Sequence, residues 1–210
     1  MKKAVVLLSG GMDSAVTLFI AKKKGYKAHC LTFNYGQRHE KEISFAKRLV
    51  RSTRSMSYVL NIELPWKGSA LLDRSTKVPQ ERRLSSKAIP PTYVPARNTI
   101  FISFALSFAE SIGAKKIFIG ANAVDFSGYP DCRPGYYKKF NILLNIATKE
   151  KGIKIETPLL HKKKMDIVRI GRRLGVPFEL TWSCYKGGKR PCGKCDACRL
   201  REKGFKDAKV

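Results

Sequence analysis

Ala4-Val5-Val6-Leu7-Leu8-Ser9-Gly10-Gly11-Met12-Asp13-Ser14 is the stretch that decides the fold. Its leading apolar run reads as a buried strand, and Ala15-Val16-Thr17-Leu18-Phe19-Ile20-Ala21 after it reads as a helix. A strand that ends at paired glycines and turns straight into a helix is a phosphate-cradling arrangement. Glycine lets backbone N–H groups converge on an anion, and the helix N-terminus adds partial positive charge there. The loop is not of the Walker type, because Gly-x-x-x-x-Gly-Lys-Ser/Thr is absent and no lysine follows the glycines. The same residues also fit a plain Gly-rich turn with Ser or Asp capping the helix, and by themselves they leave both readings open.

Outward from this loop, strands and helices alternate. Lys27–Phe33 reads as a second strand, Ile43, Ala46 and Val50 recur at helical spacing, and Ser57–Ile62 reads as a third strand. Beyond a Pro-rich, basic stretch from Leu64 to Pro95, Arg97-Asn98-Thr99 opens a helix. Its Phe101, Phe104, Ala105, Phe108 and Ile112 fall on one stripe expected to be core. Lys116–Gly120 is a fourth strand, followed by a polar Gly/Pro-rich loop to Pro134 and a helix marked by Phe140, Leu143, Leu144 and Ala147. Ile153–Thr157 is a fifth strand, and a last helix is expected over Lys164–Leu174. The alternation implies an α/β fold with a doubly wound, mainly parallel sheet. A connection as long as 64–95 reads as a mobile active-site loop or a disordered insert.

The 210 residues suit one domain, or one domain with a small appendage, the division then expected near residue 180. No apolar run approaches a membrane span and no signal peptide is visible, so a cytoplasmic protein is expected. The net charge of +26 suits an acidic partner or a polyanionic substrate, but also a lysine-coated surface, since no basic arm stands out.

Six cysteines in such a chain argue for metal or catalysis over disulfides. Cys184-x7-Cys192-x2-Cys195-x2-Cys198 supplies thiolates at the spacing of a closed tetrahedral shell, which favours structural zinc, with an iron–sulfur cluster as the competitor. Cys30 reads as a core residue, and Cys132, in the loop after the fourth strand, as a packed residue with a reactive thiol as the alternative. His29, His39 and His161 have no ligand-like spacing. Asp125, Asp131 and Arg133 stand in that loop, where open α/β sheets bind ligands, and Arg97 and Asn98 stand at a helix start. Lys164, at another helix start, gains nothing from the dipole, so it points to a phosphate partner unless it belongs to a solvated Lys162–Lys164 run.

Together these stretches resemble the ATP pyrophosphatase (PP-loop) superfamily and, within it, the 7-cyano-7-deazaguanine synthase family. The resemblance rests on Ser9–Ser14, Tyr93–Asn98, Asp125–Arg133, Thr157–Leu159, Leu180–Tyr185 and the cysteine module through Arg201, covering Lys3 to about Phe205. It implies an adenine nucleotide alpha hydrolase-like domain over 1–180 and a zinc-binding four-cysteine module with tail over 181–210. The implied activity is ATP-dependent conversion of 7-carboxy-7-deazaguanine and ammonia to the nitrile through adenylated acid and amide. ATP, Mg²⁺ and Zn²⁺ are the implied cofactors.

By the same resemblance, ATP is held by Leu8, Ser9, Gly10, Gly11, Met12, Asp13, Ser14, Ala15, Val16, Thr17 and Leu18. Asp13 and Lys164 would be catalytic, and Arg97, Asn98, Asp125, Asp131 and Arg133 would line the substrate side. Cys184, Cys192, Cys195 and Cys198 are the implied zinc ligands. No stable nucleic-acid or membrane partner is implied, and a homodimer is, though no stretch shows its interface. Two rivals remain on the sequence: a PP-loop enzyme that modifies tRNA directly, and a non-catalytic zinc-ribbon protein that binds nucleic acid.

Overall fold

The computed structural model describes residues 2–81, 89–122 and 128–210. Strands β1 (Lys3–Leu7), β2 (Lys27–Asn34), β3 (Met56–Asn61), β4 (Lys116–Ile119) and β5 (Lys154–Glu156) form one sheet in the order β3-β2-β1-β4-β5. All four pairings are parallel, with Val5 opposite His29 and Ile117, and Ile117 opposite Ile155.

The sheet is covered on both faces because β1 alternates between them. Ala4, Val6 and Leu8 join α1 (Met12–Lys23), α2 (Lys41–Thr53) and α5 (Lys164–Arg173) in one apolar cluster. Val5 and Leu7 join α3 (Arg97–Ser111) and α4 (Pro134–Ala147) in the other. The period of two along a strand thus feeds two cores, which is why the run reads as continuously apolar.

After β1 the chain builds outward through β2 and β3, then returns by α3 to β4 on the other side of β1. The sheet therefore has a switch point between the C-terminal ends of β1 and β4, the usual place for a ligand crevice. The two loops meet there. A Cβ on Gly120 would lie 2.9 Å from the Asp13 carbonyl carbon and oxygen, so only glycine lets β4 end against the start of α1.

Several expectations need correction. Of the α3 aromatics, Phe104 is 42% exposed, and the buried stripe is Ile102, Ala105 and Ala109. On α4, Leu143 and Ala147 face outward, while Tyr137, Phe140 and Leu144 are buried. The cysteine module does not simply close the chain, since a further helix, α6 (Asp196–Ala208), starts inside it with Cys195 as its N-cap. Leu200, Gly204 and Ala208, spaced by four, face inward along α6, and a Cβ on Gly204 would come within 2.9 Å of Lys164 Cβ.

The described part of 64–95 is packed rather than loose. Ala70 and Val78 are buried with Trp182, Cys184, Cys195 and Cys198. Arg38 Nη2 donates to the carbonyls of Asp73 (3.0 Å) and Thr76 (2.6 Å), and its N–H to the carbonyl of Leu71 (2.8 Å). Glu81 N–H donates to the Lys194 carbonyl at 3.0 Å. Cys30, as expected, is core, and burial pushes its thiol up to about 12.

Candidate functional site

The loop after β1 folds around its own hydroxyls. Ser9 N–H and Ser9 Oγ reach Ser14 Oγ at 3.2 and 3.1 Å, Gly11 N–H donates to Ser9 Oγ at 3.3 Å, and Ser14 Oγ donates to the Gly11 carbonyl at 2.9 Å. Gly11, not Ser or Asp, is the N-cap of α1, and no side chain caps it. Gly10 has φ +84°, and a Cβ there would strike the Glu42 carbonyl oxygen at 2.2 Å. Its carbonyl accepts from Trp182 N–H at 2.9 Å, so the loop is clamped between α2 and the approach to the cysteines.

Asp13, in the first turn of α1, meets Lys164, the first residue of α5, with Lys164 Nζ 2.5 Å from Asp13 Oδ2. Lys164 is therefore not part of a solvated run. Its Lys162 neighbour is held through its carbonyl by Asn122 Nδ2 at 2.7 Å, and His161 is exposed. Asp13 Oδ1 is buried without a hydrogen bond among the described residues. Arg201 of α6, within electrostatic reach of Asp13, is held by donating to Thr181 Oγ1 (2.6 Å) and the Phe178 carbonyl (2.9 Å).

These groups open onto a cavity of about 300 Å³ above the switch point. Leu8, Ser9, Gly11, Met12, Asp13 and Ser14 line it, whereas Ala15, Val16, Thr17 and Leu18 are wholly buried in packing between α1 and the sheet. Arg97 and Asn98 also line it, and Arg97 is held by Tyr35, 62 residues earlier in the chain (Nη1 to Oη, 3.1 Å). The residue before them, Ala96, sits at φ +51°, a strained backbone for alanine that turns α3's first residues toward the cavity.

The expected substrate-side residues divide. Asp131 is buried and does not line the cavity. It holds Asn98 instead, accepting its N–H at Oδ2 (3.0 Å) and its Nδ2 at the backbone carbonyl (3.1 Å). Arg133 is exposed at the N-cap of α4, outside the cavity lining, and Asp125 lies outside the described residues. Cys132 lines the cavity, and burial with the Asp131 charge pushes its thiol up to about 11, so it stays protonated at neutral pH.

Sequence reasoning misses the cavity residues contributed by the β2–α2 segment: Tyr35, Arg38, His39 and Glu42. It also misses Tyr129 and Tyr185, and it assigns to core the wall formed by Phe101, stacked on Phe33 at 4.0 Å. A signal is present in Tyr35-Gly36-Gln37-Arg38-His39, polar residues at the C-terminal end of a parallel strand, where ligands bind. Burial pushes the carboxyl of Glu42 up to about 7, with the Arg97 charge pulling it back. Burial likewise raises the phenols of Tyr35, Tyr129 and Tyr185, which face the cavity as neutral O–H groups.

Beside the cavity, the sulfurs of Cys184, Cys192, Cys195 and Cys198 lie within 4.8 Å of one another, and Cys192 and Cys198 approach to 4.0 Å. Zinc–sulfur bonds of about 2.3 Å place tetrahedral sulfurs about 3.8 Å apart, so the set fits such an ion after a small contraction. Backbone N–H groups of Cys192 and Cys195 donate to Cys184 and Cys192 sulfurs at 3.4 Å, which favours thiolates.

The fold is shared with two solved synthetases. An NMN synthetase from Francisella tularensis superposes with a TM-score of 0.53 at 17% identity, over 91% of this chain and 70% of that one. A 4-thiouridine synthetase, solved as an RNA complex with bound ATP, gives 0.50 at 20% identity, over 99% and 50%. In sequence, residues 3–209 match the family described as Queuosine biosynthesis protein QueC, and the chain belongs to that family. It is 50% identical to the 7-cyano-7-deazaguanine synthase of Thermoplasma acidophilum over 99% of this chain and 89% of that protein. The corresponding enzyme of Clostridium kluyveri is also 50% identical, over 99% and 95%.

Proposed function

We propose that this chain converts 7-carboxy-7-deazaguanine and ammonia to 7-cyano-7-deazaguanine at the expense of ATP. The observation that carries this reading is one cavity holding both the Gly-rich loop with its Asp13–Lys164 pair and the Arg97–Asn98 wall. Membership of the QueC family supplies the reaction class.

A carboxylate is a poor electrophile. It attacks the α-phosphorus of ATP, the α–β bridging oxygen leaves with pyrophosphate, and an acyl-adenylate forms. Ammonia adds to the acyl carbon, AMP leaves, and a proton is lost, giving the amide. The amide oxygen attacks a second ATP in the same way. Loss of AMP and of both nitrogen-bound protons then leaves the nitrile.

The loop N–H groups and the Ser9 and Ser14 hydroxyls would hold pyrophosphate. Lys164 and Arg201 would stabilise charge developing on the α-phosphate and leaving group. Asp13 orients Lys164, and its unpartnered Oδ1 fits a magnesium ion, which when bound neutralises phosphate charge. Cys184, Cys192, Cys195 and Cys198 would hold zinc in a closed all-sulfur shell with no position for substrate, so its role is structural. Residues 1–180 form the catalytic α/β unit in this reading and 181–210 the zinc module, which returns Arg201 to the site. The protein would act in the cytoplasm, and no described helix is long and apolar enough to cross a membrane.

The test is direct. Purified protein with ATP, Mg²⁺, ammonium and 7-carboxy-7-deazaguanine should yield the nitrile by mass spectrometry, with two AMP and two pyrophosphate per product. AMP release that requires tRNA would overturn the reading.

A further inference from the structure

The cavity lining is part polar and part apolar. Besides the Ser9–Ser14 loop, Asp13, Lys164 and Arg201, it includes Glu42 and Arg97 with Tyr35, Tyr129 and Tyr185. Leu7, Phe33, Phe101 and Ile119 supply apolar wall, with Phe33 and Phe101 stacked at 4.0 Å, a surface suited to a flat fused base. The placement of Glu42 is unexpected for a nucleotide site. A carboxylate facing the same space as a triphosphate repels it, so this residue serves a ligand group that donates protons.

Its position is rigid relative to the loop. Glu42 lies in the first turn of α2, and its carbonyl packs where a Gly10 side chain would be. On α3, Arg97 is held by the Tyr35 hydroxyl at 3.1 Å, with its guanidinium 5.8 Å from the Tyr35 ring and 6.0 Å from Phe101. Glu42 therefore offers two adjacent acceptor oxygens and Arg97 a fork of donors to the same cavity, near enough for the Arg97 charge to act on the Glu42 carboxyl.

We propose that Glu42 and Arg97 select the aminopyrimidinone edge of the substrate base. The Glu42 carboxylate accepts from ring N1–H and the exocyclic 2-amino group, and Arg97 donates to the ring carbonyl oxygen. This inference rests on the function proposed above. Two parallel charge-assisted bonds from adjacent N–H groups match a carboxylate in a way adenine does not, since adenine sets a single amino donor beside an acceptor nitrogen. The Glu42 carboxyl, pushed up to about 7 by burial, is only partly ionised without a ligand, and two N–H donors hold it ionised. Glu42 is thus a specificity-determining residue, remote from the reacting carboxylate of the substrate.

The experiment compares 7-carboxy-7-deazaguanine with its analogue lacking the 2-amino group, in wild type, Glu42→Gln and Glu42→Asp. Calorimetric affinity and the separate KM values for base, ATP and ammonium are measured, with melting temperatures as the folding control. Wild type should favour the amino-bearing acid by roughly 10- to 100-fold, the worth of a hydrogen bond to a charged group. Glu42→Gln should reduce that ratio toward unity with the KM for ATP unchanged, and Glu42→Asp should restore part of it. An unchanged ratio in Glu42→Gln overturns the inference, as does an effect confined to ATP or ammonium. If wild type neither binds nor converts the amino-bearing acid, the functional reading itself fails, and this one with it. A Glu42→Gln variant that melts early leaves the Glu42→Asp ratio and the wild-type discrimination to decide: wild type that does not discriminate overturns the inference.

Discussion

Lys164 Nζ stands 2.5 Å from Asp13 Oδ2, joining the first turns of two helices 151 positions apart in the chain. Each side chain keeps a modest opening to the cavity, 14% for the lysine and 24% for the aspartate, so the pair is reachable by a ligand. In the proposed reaction the lysine turns from the carboxylate toward phosphate as ATP binds.

Removing either partner should therefore act on chemistry more than on folding. Lys164→Ala and Asp13→Ala are each expected to lower the rate of pyrophosphate release by about 10²- to 10³-fold, the scale of one electrostatic stabiliser. The melting temperature should change little, because partly exposed pairs contribute little to stability. Single-turnover assays of AMP formation check this, and retained turnover in Asp13→Ala would remove its assigned role.

Gly10→Ala should be among the most damaging single changes. It places a side chain at φ +84° and drives its Cβ to 2.2 Å from the backbone oxygen of Glu42, which has no rotamer to yield. A loss of about 3 kcal/mol or more is expected, read by denaturant unfolding.

Base affinity should rise with pH. Glu42 is the titrating group, faced by Arg97 of α3, Tyr35 before α2 and Tyr185 of the cysteine segment. Its carboxyl moves from the ordinary 4.5 up to about 7, and only its ionised form accepts two N–H bonds. Calorimetry should find affinity for 7-carboxy-7-deazaguanine increasing from about pH 5.5 and levelling above about pH 7.5, as the ionised fraction saturates. The same raised value means the fold favours the protonated acid. The stability it contributes is full below about pH 4.5 and is lost as pH rises through 7.

Metal removal should be felt at a distance. Gln80 bridges Cys195, and Glu81 N–H is bonded to the Lys194 carbonyl, so the cysteine knuckle holds one end of the 64–81 segment. Cys195→Ala, or chelation of wild type, should release the metal and speed amide exchange at Glu81. Exchange at the Leu8 N–H, bonded to the Leu31 carbonyl within the sheet, should stay slow. Elemental analysis and hydrogen-exchange mass spectrometry check both halves, and full zinc content in Cys195→Ala would count against the ligand set.

Asp131→Asn should raise the KM for the base through Asn98. The aspartate accepts the Asn98 N–H at 3.0 Å from a buried position and never reaches the cavity wall. An increase of roughly tenfold in KM with a smaller effect on kcat is expected for loss of one charge-assisted bond.

Much of the architecture is legible in the sequence because it is local. The short apolar or alternating segments that form the strands, the Gly-rich loop and the cysteine spacing each declare themselves within a few residues. Helix faces are read less well. Leu143, Ala147 and Phe104 share the apolar spacing of their neighbours, yet they point outward because each helix has only one sheet to cover. Helix α6 escapes notice because Gly204 and a dense charge pattern weaken its periodicity, and its inward stripe is defined by contact with α5.

The sequence alone determined the parallel sheet, the loop at its centre and the four-thiol set, since strand period, glycine freedom and ligand spacing are properties of short segments. Only the tertiary structure decided which charges meet. It brought Lys164 to Asp13, set Asp131 behind Asn98, left Arg133 on the surface and drew Glu42 into the same cavity as Arg97. Those outcomes depend on how elements pack across the switch point, where distance in space is unrelated to distance along the chain.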